Sequence, residues 1–423
     1  MNKEMVFTRY ESYKDSGFDW LGDIPSDWKL QRLATVFEER KEKVSDKDFP
    51  PLSVTKNGVV PQLDSAAKSD DGDNRKGVRE GDFVINSRSD RKGSSGIAKQ
   101  DGSVSLINIV LRPKGIAPRY SEHLLKSNGF IEEFYRNGHG IVADLWTTRY
   151  WDMKSIHIPL PDMATQERIA NFLDQKTVEI NESIAKKQRL IELLKEQKTI
   201  LINQAVTKGL NPDVPMRDSG VEWIGTIPAH WAIKKNRELF TERKESGSES
   251  LPILSVSLHT GVSDSEQDET ENIRSKVRIE DKTFYRRVYP GDIAFNMMRA
   301  WQGAIGVVKT DGQVSPAYII ASPCNLIDGE YFEYQYRTSM FIGQMDRCSK
   351  GITDFRKRLY WAEFKQLSTI VPPVDEQKEI IEKIRDIAVS IDKVVELTAK
   401  EIDQIKELRT ILISDAVTGK IKL

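Results

Sequence analysis

Three stretches of this chain mix guanidinium or ammonium groups with small polar residues, the combination that contact with phosphate groups requires. Residues 85–99 set Arg88, Arg91, Lys92 and Lys99 against Asp90 alone. Residues 273–287 set Arg274, Lys276, Arg278, Lys282, Arg286 and Arg287 against Glu280 and Asp281. Residues 347–358 set Arg347, Lys350, Arg356, Lys357 and Arg358 against Asp354. Small neighbours such as Gly93, Ser94 and Gly351 let a backbone approach a phosphodiester strand closely. Asn86-Ser87-Arg88 and Asn296-Met297-Met298-Arg299-Ala300-Trp301-Gln302 add base-reading types, because Arg pairs in two-point fashion with guanine and Asn or Gln with adenine. Arg149 joins the same group of candidates. A solvated charged face explains any one such patch equally well, but a basic loop at the same place in both halves of the chain points to a ligand.

The chemistry of turnover is missing. Gly72-Asp73-Asn74-Arg75-Lys76-Gly77 has P-loop spacing, but Val78 stands where the phosphate-binding lysine is required. Gly138-His139-Gly140-Ile141-Val142-Ala143 fits only the loosest dinucleotide pattern and follows no recognisable strand. The histidines 123, 139, 157, 230 and 259 have no metal-ligand spacing, and neither Pro-Pro pair is flanked as a methyltransferase motif would be. The expectation is a non-enzyme without its own cofactor or metal.

The elements that position these residues come in duplicate. Asp15-Ser16-Gly17-Phe18-Asp19-Trp20-Leu21-Gly22-Asp23-Ile24-Pro25 recurs, 203 residues on, as Asp218-Ser219-Gly220-Val221-Glu222-Trp223-Ile224-Gly225-Thr226-Ile227-Pro228. Glu39-Arg40-Lys41 is answered by Glu242-Arg243-Lys244. Gly81-Asp82, Asn86, Gly96 and Asp101-Gly102 are answered 210 residues on by Gly291-Asp292, Asn296, Gly306 and Asp311-Gly312, and Gln166 by Gln377. The order is kept throughout, so this is a tandem duplication. The recurring Trp20, Trp28, Trp223 and Trp231 read as core or hinge packing, and Trp151 and Trp361 as anchors between globular part and helix.

Each copy opens as a mixed α/β domain, with short β-rich runs such as residues 104–111 broken by Asp-Gly and Asn-Gly turns. Each closes on ~42 residues free of Gly and Pro. There Leu173, Ile180, Lys187, Leu194 and Leu201 fall seven apart, with Thr177, Ile184, Ile191, Lys198 and Ala205 four residues after each. The second copy answers with Ile384, Ile391, Thr398, Ile405 and Leu412, and with Ala388, Val395, Ile402, Arg409 and Ala416. That is an a/d seam over five heptads, in helices of roughly 60 Å at 1.5 Å per residue. Two such helices are expected to pack antiparallel as a coiled coil about an internal pseudo-two-fold, with a domain toward each end. The boundaries read as a first domain at 1–160, a central helix at 161–208, a second domain at 209–371 and a C-terminal helix at 372–423.

Composition is consistent with such a rod. Of the 423 residues, 30% are charged and 39% hydrophobic, and 63 basic against 64 acidic side chains leave −1. That balance excludes a uniformly basic binder but not local basic patches. Two cysteines, Cys324 and Cys348, build neither a disulfide framework nor a zinc site, so a reducing compartment, the cytoplasm, is expected. No export signal or membrane span is legible.

These residues resemble the specificity subunits of bacterial type I restriction-modification enzymes. The resemblance rests on Tyr13-Lys14-Asp15-Ser16-Gly17-Phe18-Asp19-Trp20-Leu21-Gly22-Asp23-Ile24-Pro25 and its second copy. It extends to Trp301-Gln302-Gly303-Ala304-Ile305-Gly306, Leu359-Tyr360-Trp361, and Pro159-Leu160-Pro161 with Gln166-Glu167-Arg168-Ile169 opening a long helix. It implies two target recognition domains, each reading one part of a split, asymmetric sequence in double-stranded DNA. It also implies that the helices fix the gap and dock two adenine-N6 methyltransferase subunits, with restriction and translocation on separate subunits. S-adenosylmethionine, ATP and Mg would then bind those partners. The first copy departs from the pattern, with Arg91-Lys92-Gly93-Ser94-Ser95-Gly96 where the second has Ala300-Trp301-Gln302-Gly303-Ala304-Ile305-Gly306. The rival reading is a coiled-coil scaffold without DNA specificity.

Overall fold

The computed structural model describes residues 7–63, 72–141, 146–258, 261–263, 284–324, 327–351 and 357–423. It divides into two compact units, residues 1–188 with 398–423, and residues 189–397. Both contain the same set of elements.

In the first unit the repeated Asp-Ser-Gly motif forms a tight turn. Gly17 N–H donates to the Asp15 carboxylate at 2.8 Å and the chain passes through positive φ at Gly17. The second unit makes the same turn from Asp218 and Gly220. Behind each turn a tryptophan, Trp28 or Trp231, is buried, while Trp20 and Trp223 pack partly buried against the cores. A strand that follows (Lys29–Arg32, or Ala232–Lys235) pairs with the last strand before the long helix (His157–Leu160, or Ser368–Val371), so each globular part is closed by its own two ends.

The central sheet of the first unit consists of β1 (Phe37–Glu39), β2 (Phe83–Asn86), β3 (Ser95–Ile97) and β4 (Asn108–Pro113), antiparallel in the order β3-β2-β4-β1. One face packs on α1 (Pro118–Leu125) and α2 (Asn128–Arg136) through Phe83, Ile85, Ile109, Leu124 and Phe130. The other carries a smaller core of Leu52, Val59, Val78, Val84, Val104 and Val110 beneath short strands. Alternation of these side chains along β2 and β4 is the period-2 signature of a sheet buried on both faces. Gly96 is obligatory for that layering, since a Cβ there would sit 2.8 Å from Gly58 Cα; at Gly306 it would sit 2.8 Å from Val262 N.

The long helix α3 (Met163–Lys208) starts at Asp162, whose carboxylate accepts the Thr165 N–H at 2.8 Å, and ends at Gly209 with φ +80°. In the second unit β5 (Phe240–Glu242), β6 (Ile293–Asn296), β7 (Ile305–Val307) and β8 (Tyr318–Pro323) run in the matching order β7-β6-β8-β5. Helices α4 (Gly329–Tyr336) and α5 (Ser339–Cys348) cover this sheet, and α6 (Val374–Thr418) is the second long helix.

The long helices pack together within each unit. Among the seam positions, Leu173, Ala205, Ile384, Thr398, Ile402, Leu412 and Ala416 are buried. Ile180, Ile184, Ile191, Leu194, Leu201, Ile391, Val395 and Ile405 are half-buried. In the first unit Lys187 reaches Glu401 and Arg409 donates to Asn181 at 2.9 Å, so α6 descends as α3 ascends. In the second unit Lys198 reaches Asp392 at 2.7 Å. The cationic seam positions thus find polar partners on the facing helix, which favours one register over others. No helix among the described residues is long and apolar enough to cross a membrane.

One expectation is corrected. Trp361 packs partly buried against the core beside Phe364, but Trp151 is 74% exposed and joins neither core among the described residues. The P-loop-like spacing is also explained: Arg75–Val78 is a strand, and Arg75 is buried, donating to Ser103 Oγ at 2.8 Å.

Candidate nucleic-acid interface

In the first unit, three segments meet beyond the end of β2. The Asn86 side-chain oxygen accepts the Arg88 N–H at 3.0 Å, turning the chain into a single 3-10 turn, Ser89–Arg91. Thr147 bridges to both Arg88 and His139, and Thr148 N–H donates to Ser87 O at 2.9 Å. Beneath them Tyr135 donates its phenol to the carbonyls of Asn86 and Arg88 at 3.3 and 3.1 Å. Burial pushes that phenol up to about 12, so it stays a proton donor at neutral pH. The frame is therefore held by backbone and buried groups, which leaves the outward side chains available for a ligand.

Those outward side chains are Arg88, Arg91, Lys92 and Arg149, which point away from the core. Lys92 meets Glu132 at 2.6 Å and Arg91 lies 3.5 Å from Asp90, both at the surface. Exposed pairs of this kind contribute ~0–1 kcal/mol, so exchange of the carboxylate for a phosphate is inexpensive. Arg149 precedes the short helix Tyr150–Met153, whose first turn is capped as its N–H donates to Asp152 at 2.9 Å. Lys99 is not part of this cluster. It lies past β3, whose Ile97 pairs with Phe83 at the opposite end of β2 from Asn86.

The second unit builds the same place with different side chains. This corrects the expectation of a basic loop there in both halves: residues 298–302 carry Arg299 as their cation where 88–92 carry Arg88, Arg91 and Lys92. Asn296 closes the corresponding turn, its side-chain oxygen accepting the Met298 N–H at 2.9 Å. Its acceptor is thereby committed to shaping the loop. Trp301 Nε1 donates to Met298 O at 2.8 Å, and Lys357 lies 5.1 Å over its ring while also pairing with Asp346 at 2.7 Å. Lys350 and Arg358 hold each other's backbones, Lys350 pairs with Glu363, and Leu359 N–H donates to Met297 O at 2.8 Å. Arg299 is half-buried, and Gln302 lies at the end of the same short turn. Arg274, Lys276 and Arg356 lie outside the described residues.

The structure thus brings Arg88, Arg91, Lys92 and Arg149 together, and Asn296, Arg299, Trp301, Gln302, Lys350, Lys357 and Arg358 together, each set in its own unit. Sequence reading misses His139 and Trp151 as neighbours of the first set. His139 Nε2 lies 3.2 Å from Asp152, and Trp151 carries Lys154 over its ring at 2.9 Å. The Thr-Thr-Arg-Tyr-Trp run at 147–151, polar residues leading into aromatics, signals Trp151 but not His139.

Neither a protein-family model nor a curated protein matches the sequence. Solved structures do. A chain from a structure on complex assembly and conformational transition of the type I R-M system superposes with a TM-score of 0.65 at 13% identity, over 93% of this chain and 98% of that one. The HsdS subunit from Thermoanaerobacter tengcongensis gives 0.58 at 16% identity, over 96% and 100%. The chain has the fold of an HsdS subunit. The agreement spans both globular parts and both long helices, so the HsdS-like fold belongs to the duplicated whole rather than to one domain.

Proposed function

We infer that this chain is the DNA-recognition subunit of a type I restriction-modification complex, non-catalytic itself, with each globular part reading one part of a split, asymmetric duplex target. The observation that carries this reading is the pair of equivalent loops after β2 and β6. Their turns are built alike, on Asn86 and Asn296, yet they present Arg88, Arg91 and Lys92 in one unit and Arg299, Trp301 and Gln302 in the other. Like frames with unlike readers are what two different half-sites require.

In this reading the long helices set the gap between half-sites and dock two methyltransferase subunits. Apolar side chains off the seam support the docking role. Val178, Leu408 and Ile411 are exposed in the first unit, and Leu190, Leu193, Ile200, Val389, Val394 and Leu397 in the second. Apolar side chains left uncovered along the helix pair are what a docked subunit would cover. S-adenosylmethionine, ATP and Mg would be bound by the methyltransferase and restriction subunits, and the complex would work in the cytoplasm.

The test is reconstitution with the methyltransferase partners, followed by methylation mapping and mobility shift on the mapped duplex. A bipartite methylated motif and sequence-specific binding that weakens with salt are expected. Sequence-independent binding, or none, would leave a protein scaffold as the better description.

A further inference from the structure

Lys99, separated from the loop cluster, opens onto a second polar surface of the first unit. It lines a cleft of about 300 Å³ that shares Asn57 and Glu122 with a neighbouring cleft of about 500 Å³. The larger cleft lies between the turn of the Leu52–Thr55 and Gly58–Pro61 hairpin, α1, and the paired segments of α3 and α6. Lys56, His123, Lys126 and Arg409 converge on it, together with amide and hydroxyl groups such as Asn128 and Thr410. Its volume is that of a small-ligand site, ~300–1,000 Å³.

The charges in the larger cleft are poorly balanced. His123 is matched by Asp174 at 2.7 Å. Glu122 is the lining carboxylate; it accepts the Ile97 N–H at 3.4 Å and stands 3.9 Å from Lys126 Nζ. Burial, opposed in part by Glu122, pulls the Lys126 ammonium below its ordinary range, the condition a nearby anion relieves. Among the described residues, Arg409 makes its bond to neutral Asn181, and neither Arg409 nor Lys56 meets a carboxylate.

The duplicated unit supplies a built-in comparison. At 211 residues' offset, Arg409 and Asn181 correspond to Lys198 and Asp392, which form an ion pair at 2.7 Å. Lys126 and Glu122, 3.9 Å apart, correspond to Arg337 and Glu333, which close to 3.0 Å, and Arg337 also donates to Leu258 O at 2.7 Å. His123 corresponds to Tyr334, which carries no cation. The second copy therefore neutralises the place where the first leaves cationic groups around a cleft.

We propose that this cleft of the first unit, around Lys56, Lys126 and Arg409, binds a phosphoryl group. Arg409 supplies a planar donor fork, Lys126 and Lys56 point charges, and the surrounding amides and hydroxyls complete the oxygen shell. The phosphoryl group belongs either to a free phosphorylated molecule or to the DNA backbone, and the test separates the two.

The full chain is titrated with inorganic phosphate and ADP by calorimetry, as wild type, as Asn181→Asp and as Lys126→Gln. Asn181→Asp installs the carboxylate that the second copy carries at Asp392, so the substitution has a folded precedent in the same chain; an unchanged melting profile verifies it. Binding of either probe, weakened ~10-fold or more in both variants, establishes a free phosphorylated ligand. If neither probe binds, duplex affinity of the complex reconstituted with its methyltransferase partners is measured across salt concentrations. A log–log slope shallower by about one in Asn181→Asp places a DNA phosphate in the cleft. Wild-type behaviour of both variants in both assays overturns the proposal. The calorimetric arm does not depend on the DNA-reading role, so failure of one leaves the other standing.

Discussion

Arg40 and Asp82 form a two-point ion pair, Nε to Oδ2 at 2.7 Å and Nη2 to Oδ1 at 3.1 Å, and Arg243 and Asp292 repeat it at 2.8 and 3.1 Å. The aspartates are buried, and each also accepts a backbone N–H, from Arg79 or Tyr289, that closes the turn before β2 or β6. The pair thus ties that turn to the segment after β1 or β5. Removing one partner of a largely buried pair leaves the other uncompensated, so Asp82→Ala and Asp292→Ala should each cost ~2–4 kcal/mol in urea unfolding. The double change Arg40→Met with Asp82→Leu should recover most of the loss. A single-variant cost below ~0.5 kcal/mol would mean solvent compensates the arginine.

The repeated glutamine makes a similar prediction at the other end of each domain. Gln166 accepts the Ala117 N–H at 2.8 Å and donates to Pro161 O at 2.9 Å; Gln377 accepts the Asp328 N–H at 2.8 Å and donates to Pro372 O at 2.8 Å. Both side chains are buried and join the start of a long helix to the globular part it follows. Gln166→Ala and Gln377→Ala should each cost ~1–3 kcal/mol, the penalty for orphaned buried groups. Gln→Glu should be no better, since it lacks the donor for the proline carbonyl. Denaturant midpoints of the four variants decide this.

The long helices are legible in the sequence because their signal is local: a seven-residue apolar period in a stretch free of Gly and Pro. The duplication also locates Arg40, Asp82, Gln166 and their counterparts, although not that the first two touch. That pairing joins residues 42 apart, and spacing alone carries no distance. Trp151 escapes a sequence reading for the same reason. It aligns with Trp361, but exposure depends on whether the surrounding domain provides a pocket, and here Trp361 packs beside Phe364 while Trp151 faces solvent. Lys99 shares a basic run with Arg88, but β3 carries it to the far end of β2.

On the proposed function, the loops after β2 and β6 should act independently. Arg88→Ala with Arg149→Ala should relax or weaken recognition at one half-site, and Arg299→Ala with Gln302→Ala at the other, by ~1–3 kcal/mol for each base-reading hydrogen-bond pair removed. Binding to duplexes altered in one half at a time measures this. Equal weakening at both halves from either double variant would point to unfolding instead.

His157 gives a pH dependence of known sign. Its ring stacks on Phe18 at 4.6 Å, and burial, then the facing Arg32 charge, holds it below its ordinary 6.5. The unfolded chain therefore takes up a proton near pH 6.5 while the folded chain resists until lower pH. The stability this residue contributes is fully present above about 6.5 and is lost as pH falls from there toward the folded value. His157→Gln should flatten the urea midpoint between about pH 7.5 and 5.5 relative to wild type. An identical pH profile for both proteins would assign the dependence to other groups.

The helix pair offers the most direct test of the gap-setting role. Four residues inserted after Ala185 lengthen α3 by ~6 Å at 1.5 Å per residue, close to two base-pair steps of ~3.4 Å. The insertion falls within the seam between Ile184 and Lys187, away from the reading loops and from the buried hydrogen bonds of Gln166 and Gln377. It also rotates the downstream helix by a fraction of a turn, which the facing helix of the coiled coil absorbs as a local change in winding. Methylation mapping of a host carrying this variant should show both half-sequences unchanged and the gap longer by one or two base pairs. A changed half-sequence at an unchanged gap would sink the ruler, because it would mean that the helices influence reading rather than spacing.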